Sequence, residues 1–441
     1  MVKRLLVQTQ LSNIVNGKFD LACDSGWQMT INRCREMLKL CPDLHIDIMG
    51  PALGDSEHDP TCQVVESPHD VTPDLWEKYG YVGAKRLKYL GENILPNALV
   101  TRYDFQWFNV VTQLDLGMHK IETHRRYDAV YLNDPMLLRA FKAMFYVVGG
   151  YQPKFFVHSH FVDLPEFPKF PKEASLWLGQ CEATIKADFN FWQCESAMEQ
   201  FFESMGKWFK QELVDDVRTR SLASDDGYSI TEITQPVDES RMRFTVDEWN
   251  AKTQGKIVLF FPNRISPSSG DYTNGMRFMF DLLPKLRQRR NDFVVVCGNP
   301  NLKFSNDELV QRCGADGYVK LHNYTLDRNE YRFVAAHSDI ALGLYDNDTY
   351  GGTAARECIE LGCVPLWLAL NEYSSLAREA RCDHYVLAKP DFSDLVDVVD
   401  HLMSISQEDH FSINTRLRRV VKSRCSYEQT VPEMLRLMDL L

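Results

Sequence analysis

The stretch Asp346-Asn-Asp-Thr-Tyr-Gly-Gly-Thr-Ala-Ala-Arg-Glu-Cys-Ile-Glu-Leu-Gly-Cys-Val-Pro365 follows an apolar, strand-like run, Asp339-Ile-Ala-Leu-Gly343. It passes into helical text from Thr353 to Leu361 and then into a second strand-like run, Val364-Pro-Leu-Trp367. A strand that feeds a helix through a glycine turn, followed by another strand, is the building unit of a doubly wound parallel sheet. Such sheets bind ligands outside the C-terminal ends of their strands, which is where this turn falls. Gly351 and Gly352 let backbone approach a ligand closely. The N–H groups of a helix starting near Thr353 then face an anion, a diphosphate above all. Glu357, one turn inside, is placed to accept hydrogen bonds from a ribose diol. Pattern alone leaves a second reading open, a glycine turn capped by Thr353 with Glu357 a solvated helix residue.

The same alternation extends in both directions. In the second half, Lys256-Ile-Val-Leu-Phe-Phe261, Phe293-Val-Val-Val-Cys297 and Gly317-Tyr-Val-Lys320 are strand-like, with helical text from Met276 to Arg290. In the first half, strands are expected at Arg4-Leu-Leu-Val-Gln8, His45-Ile-Asp-Ile-Met-Gly50, Ala129-Val-Tyr-Leu132 and Lys154-Phe-Phe-Val-His158, with a helix from Trp27 to Leu40. Strands alternating with helices imply parallel sheets covered on both faces. The expected fold class is therefore α/β, with two doubly wound, Rossmann-like domains. Their expected limits are 1–240 and 241–425, with a last helix, 426–441, free on pattern to pack back on the first domain. The join lies in Ile230-Thr-Glu-Ile-Thr-Gln-Pro-Val-Asp238 and the polar stretch after it. Pro51 to Pro73, rich in chain breakers, is expected to be a long loop. No repeat of 20–50 residues is visible.

Composition bounds the function. The chain has 441 residues, and 49 Lys+Arg against 61 Asp+Glu give a net charge of −12. At roughly 150 residues per domain, two or three domains are expected. With 44% apolar residues the chain is neither disordered nor fibrous. The acidic balance argues against a surface that coats nucleic acid, while leaving room for a local basic groove. The opening Met1-Val-Lys-Arg-Leu-Leu-Val-Gln-Thr-Gln10 lacks the pattern of a signal peptide. Runs such as Phe145-Tyr-Val-Val148 fall far short of the about 20 residues of a membrane span. The 12 cysteines form no Cys-x-x-Cys pair, and several in apolar strand-like text read as reduced core residues, so a cytoplasmic location is expected.

Gly351-Gly-Thr followed by Glu357 and then Leu361-Gly-Cys-Val-Pro-Leu-Trp367 resembles the donor-site signature of retaining glycosyltransferases with the two-domain GT-B fold. Other segments fall in that family's order. Pro262-Asn-Arg264 resembles the segment whose Arg holds the donor diphosphate, and Val294-Val-Val-Cys-Gly298 its second strand. Lys320-Leu-His-Asn-Tyr324 resembles the loop beside the base, which implies a base contact for Tyr324. Thr234-Gln-Pro-Val-Asp238 resembles the crossing between domains. Val157-His-Ser-His160 resembles the histidine-bearing strand end that faces the donor sugar, and Ala187-Asp-Phe-Asn-Phe-Trp-Gln-Cys-Glu-Ser196 the segment after it. Two positions depart from the pattern. Thr349, with Asp348 beside it, stands where the family carries a first Glu, and Asn274-Gly275 where it carries Lys-Gly, with Arg277 one turn further as a second cation.

The resemblance implies two domains facing each other across a cleft, and transfer of a hexosyl or pentosyl group from a nucleotide-sugar, expected to be a UDP-sugar, to a hydroxyl with retention. No cofactor or metal is expected. The leaving diphosphate takes the acceptor's proton while Arg264 and the Thr353 helix N-terminus stabilise its charge. Closure between domains would exclude water. His158 and His160 alternate along a strand and point to one face; each alone is read first as a structural histidine, and the resemblance gives one of them the sugar-facing role. Asp163, Tyr103 and Trp107 are candidate acceptor contacts.

For the acceptor, basic clusters at His124-Arg-Arg126, Lys285 to Arg290 and Arg416 to Arg424 are either solvated helix faces or phosphate contacts. The strand-and-motif order also resembles that of phage α-glucosyltransferases acting on hydroxymethylcytosine. Double-stranded DNA carrying 5-hydroxymethylpyrimidine is thus the leading acceptor. The alternatives are a glycan, lipid-linked or small-molecule acceptor, and a non-catalytic binding protein of the same fold.

Overall fold

The computed structural model describes residues 3–8, 14–15, 18–19, 25–49, 63–64, 126–160, 162, 174–224, 227–265, 278–300, 318–319, 326–344 and 352–441. The chain divides into two compact units, Met1–Asp225 with Thr430–Leu441, and Asp226–Gln429.

In the first unit β1 (Arg4–Gln8) is followed by a two-residue hairpin of β2 (Ile14–Val15) and β3 (Lys18–Phe19). Then come β4 (His45–Met49), β5 (Gln63–Val64), β6 (Ala129–Leu132), β7 (Lys154–Ser159), β8 (Phe189–Trp192) and β9 (Ser221–Ala223). Apart from the hairpin, these strands form one parallel sheet in the order β5-β4-β1-β6-β7-β8-β9. Pro51 to Pro73 therefore contains one edge strand, β5, which a two-residue pairing is too short to reveal in sequence. Side chains alternate between faces along each strand. Leu6, Val130, Leu132, Phe155 and Val157 turn to one face and pack on Leu138, Phe141 and Phe145 of the following helix. Tyr131, His158 and Phe191 turn to the other. The C-terminal residues are tied into this unit, with Lys154 paired to Asp439 and Lys3 Nζ donating to the Asp439 carbonyl.

The second unit carries β10 (Ile257–Ile265), β11 (Phe293–Pro300), β12 (Tyr318–Val319), β13 (Ile340–Gly343), β14 (Val364–Leu368) and β15 (Leu387–Ala388). They form a parallel sheet in the order β12-β11-β10-β13-β14-β15. Renumbered within the unit this is 3-2-1-4-5-6, the order of dinucleotide-binding doubly wound sheets, and the first unit begins with the same order. The α/β fold of two parallel sheets is therefore as expected. Near-continuous apolar strands such as Val258–Phe261 and Phe293–Val296 are buried because helices cover both faces.

Helix Arg328–Ala336 is anchored at its start. Its capping box joins Asp327 and Glu330. Glu330 is fully buried and accepts hydrogen bonds from the Arg243 backbone N–H at 2.8 Å and from Arg243 Nε at 2.9 Å. Burial pushes the Glu330 carboxyl up, and the Arg243 hydrogen bonds outweigh this and hold it below the usual glutamate range. A carboxyl held below its unfolded value of about 4.3 adds stability at neutral pH that is lost as the pH falls through the folded value. Urea unfolding of Glu330→Gln at pH 7 is expected to show a loss of about 1–2 kcal/mol, kept at the low end because the Arg243 side chain is 41% exposed and screened. Below the ordinary glutamate range the stability of Glu330→Gln should fall less steeply than that of the wild type. Parallel curves would exclude this pair as a source of acid sensitivity.

Candidate functional site

In each unit the strand order reverses once, between β1 and β6 and between β10 and β13. At such a point successive crossovers run to opposite sides, leaving a crevice at the strands' C-terminal ends. Of the residues singled out by sequence, Arg264, Gly352, Thr353 and Glu357 lie beside the second of these places, and His158 and His160 lie on or just past β7, the strand next to β6 at the first.

In the second unit Arg264 lies near the end of β10, in register with Asn299, just past an irregularity that follows Phe261. Across the reversal, β13 ends at Gly343, and helix Thr353–Glu360 begins with Gly352 as its N-cap. Glycine offers no side-chain cap. Tyr373 supplies one instead, its hydroxyl accepting the Gly352 N–H at 2.7 Å. Among the described residues nothing caps the N–H groups of Thr353, Ala354 and Ala355. The Tyr331 hydroxyl holds the same turn from its carbonyl side, donating to the Ala354 oxygen at 2.7 Å. Gly343 is required where it stands, because a Cβ there would lie 2.7 Å from Trp367 Cδ1 and 2.9 Å from the Ala355 Cβ.

Glu357 is 8% exposed, which excludes the reading of a solvated helix residue. Its two oxygens are 3.0 and 2.9 Å from the Arg328 guanidinium, which also pairs with Glu232. Arg332 joins from the next turn, 3.1 Å from the Glu232 carbonyl. Burial raises the Glu357 carboxyl above its ordinary value against the pull of Arg328. For Arg328, burial lowers the pKa, but Glu357 and Glu232 outweigh it and keep the guanidinium charged. Each carboxylate oxygen has two acceptor positions, so a carboxylate held this way is oriented and still able to accept from a diol.

In the first unit the reversal gathers a buried polar cluster that sequence reading found only in part. His158 is fully buried and His160 is 7% exposed. Their rings stack at 4.1 Å and 8°, so they share one face as expected, although β7 ends between them at Ser159. Arg33, from helix Ser25–Leu40, donates to the Tyr131 hydroxyl at 2.6 Å, and that hydroxyl bonds His158 Nδ1. An arginine only donates, so the tyrosine proton goes to His158 Nδ1 and the ring proton sits on Nε2. Asn133 donates through Nδ2 to the Gln8 carbonyl, leaving Oδ1 to accept from His160 Nε2 at 2.8 Å. The network thus assigns both histidines the Nε2–H tautomer. Arg33, Tyr131, Asn133 and Gln8 carried no sequence signal beyond their polarity in apolar surroundings.

Arg277, Tyr324, Asp348, Gly351, Asp163, Tyr103 and Trp107 lie outside the described residues, as do Thr349 and Asn274. No group of three or more metal-ligating side chains occurs among the described residues, and no helix among them is long and apolar enough to cross a membrane. The basic clusters are largely engaged within the fold. Arg289 pairs with Asp397, and Arg290 with Asp292 and Asp400. Arg287 covers the Phe293 ring at 4.5 Å. Arg418 pairs with the buried Glu360, Arg424 with Glu372, and Arg416 donates to the Arg381 carbonyl.

Removing Arg328 leaves the buried Glu357 without its cation and Glu232 with Arg332 alone. Arg328→Met is expected to lose about 3–5 kcal/mol at pH 7 by urea unfolding. Burial already raises the Glu357 carboxyl against the pull of Arg328, and loss of that pull raises it further, so the loss relative to wild type should shrink as the pH is lowered toward the ordinary glutamate range. A loss independent of pH would show that packing, not charge, accounts for it.

No protein-family model matches the chain, and no curated protein matches it in sequence. Solved structures do. An α,α-trehalose-phosphate synthase (UDP-forming) from Burkholderia xenovorans, in complex with glucose-6-phosphate, superposes with a TM-score of 0.65 at 10% identity, over 99% of this chain and 100% of that one. The trehalose-6-phosphate synthase OtsA gives 0.65 at 13% identity, over 100% and 99%. Anabaena HepE in complex with UDP and glucose gives 0.62 at 12% identity, over 100% of both chains. At these identities the likeness establishes the fold, the GT-B architecture, over the whole length of the chain.

Proposed function

We propose that this chain is a retaining glycosyltransferase that moves a sugar from a UDP-sugar to a hydroxyl of a small polar acceptor, such as a sugar or sugar phosphate. The observation that carries the reading is helix Thr353–Glu360, set at the reversal of a 3-2-1-4-5-6 sheet with three N–H groups that no described residue caps and a buried, oriented Glu357. In this reading the diphosphate meets the N–H groups of Thr353, Ala354 and Ala355, with Arg264 as its cation, and Glu357 accepts from the ribose hydroxyls. Complexes of HepE with UDP and UDP-glucose support uridine as the base.

The reaction breaks the bond from the anomeric carbon to the β-phosphate oxygen and forms one to the acceptor oxygen on the same face. The departing phosphate oxygen takes the acceptor's proton, and Arg264 and the helix N-terminus stabilise the charge that grows there. The sugar-facing role belongs to His160, with fully buried His158 and Tyr131 fixing its orientation from behind. The domains expected at 1–240 and 241–425 serve acceptor and donor respectively.

A small acceptor is preferred over DNA because the arginines that would track a phosphate backbone are paired with Asp397, Asp400, Glu360 and Glu372. The polar cluster around Arg33 and His160 suits a polyhydroxylated or phosphorylated small molecule. The glucose-6-phosphate in the complex of the Burkholderia synthase is a molecule of that type.

Nucleoside diphosphate release from a panel of nucleotide sugars tests this. Each donor is paired with free sugars, sugar phosphates, duplex DNA bearing 5-hydroxymethylcytosine and unmodified DNA. UDP release dependent on a small acceptor, and lowered about 10²–10³-fold in kcat by Arg264→Met, is the expected result. Release dependent on the modified base would move the acceptor to DNA. Donor binding without turnover on any acceptor would leave a binding protein of this fold.

A further inference from the structure

The donor helix is capped by a residue that the glycine turn does not predict. Tyr373 lies in the first turn of helix Asn371–Glu379, 21 residues beyond Gly352, and is 1% exposed. Its ring stacks on Trp367 at 5.0 Å and 23°. Trp367 is itself wholly buried against Gly343, where no side chain fits. The buried Tyr373 ring is therefore held against a neighbour that cannot shift toward Gly343, and with it the position of the hydroxyl that accepts the Gly352 N–H. The residue before it, Glu372, lies 3.9 Å from the buried Arg356 of the donor helix and 3.1 Å from Arg424. Two consecutive residues of one helix thus hold the first turn of another, one at its N-cap and one through a guanidinium.

The physical consequence concerns the other N–H groups of that turn. A glycine N-cap is free to rotate, and four N–H groups at the start of a helix lack intrahelical partners. By binding the first of them, Tyr373 sets the direction in which the helix leaves its turn, and so the direction of the Thr353, Ala354 and Ala355 N–H groups. We infer that Tyr373 is a positioning residue of the donor site, holding Gly352 so that the next three N–H groups meet the diphosphate of a nucleotide sugar. The inference rests on the donor-site reading given above. It assigns Tyr373 an effect on the diphosphate and none on the base or ribose, because Glu357 is oriented separately by Arg328.

The test is calorimetric titration of the full chain with UDP, and measurement of uridine binding by saturation-transfer NMR, for wild type and Tyr373→Phe. The phenylalanine keeps the ring on Trp367, and thermal unfolding confirms that the variant is folded. Expected is an about tenfold weaker affinity for UDP, the scale of one buried hydrogen bond, with uridine affinity unchanged. Tyr373→Phe binding UDP within twofold of wild type would overturn the inference. So would an equal loss for UDP and uridine, which would mark a general loosening of the fold. If Tyr373→Phe does not fold, the same pair of measurements on Glu372→Gln, which slackens the same turn through Arg356, decides between these outcomes in the same way. Failure of the wild-type chain to bind UDP, GDP or ADP would overturn the donor-site reading and this inference with it, and is read on the wild type alone.

Discussion

Parallel strands joined through helices can grow outward from a central strand in only two directions, and where growth changes direction the strands' C-terminal ends are left uncovered. Both sheets of this chain obey that constraint, reversing between β1 and β6 and between β10 and β13. Every described side chain to which a chemical role is assigned stands at one of these reversals or supports one that does. Much of each sheet is apolar, from Phe293–Val296 in one unit to Phe155–Val157 in the other, with Asp47 and Asn190 as buried polar exceptions. Buried polar side chains are also brought close together beside the reversals, Gln8, Asn133, His158 and His160 in one unit and Glu357 in the other.

Such concentration is costly unless each group finds a partner. At helix Thr353–Glu360, Arg328 bridges Glu232 and Glu357, two carboxylates brought together from distant parts of the chain, and Arg332 joins at Glu232. At the other reversal, Arg33 donates to Tyr131 and Tyr131 to His158, and in a second chain His160 donates to Asn133 and Asn133 to the Gln8 carbonyl. Because each bond restricts the next, both imidazoles are left with a defined tautomer. A side chain already oriented needs little reorganisation when substrate arrives, which is the condition for useful electrostatic stabilisation. The paired arginines of helix Gln407–Cys425 illustrate the converse. Their clustering in sequence suggests a basic surface, but Arg418 and Arg424 turn to buried carboxylates and serve cohesion.

Much of this was legible before folding. The alternation of short apolar runs with helical text marks strands at Arg4–Gln8, Lys256–Phe261 and Asp339–Gly343, where the structure has β1, β10 and β13, because a strand buried on both faces is largely apolar. The glycine pair and the helix start at Thr353 are equally local features. Edge strands β5, β9 and β15 escaped notice because two or three residues carry no period. Glu357 was identifiable as a candidate, but its burial was not, since an isolated glutamate on a helix gives no sign of what covers it.

The sequence by itself therefore determined the class of fold, the two parallel sheets and the glycine-led turn that starts helix Thr353–Glu360, since these follow from periodicity and backbone freedom over a few residues. Only the tertiary structure decided which polar side chains serve that turn. Tyr373 and Gly352 are 21 residues apart, Arg328 and Glu232 are 96 apart, and Arg33 and Tyr131 are 98 apart. Partners at such separations are chosen by the packing of whole elements, and neither spacing nor local propensity records that choice.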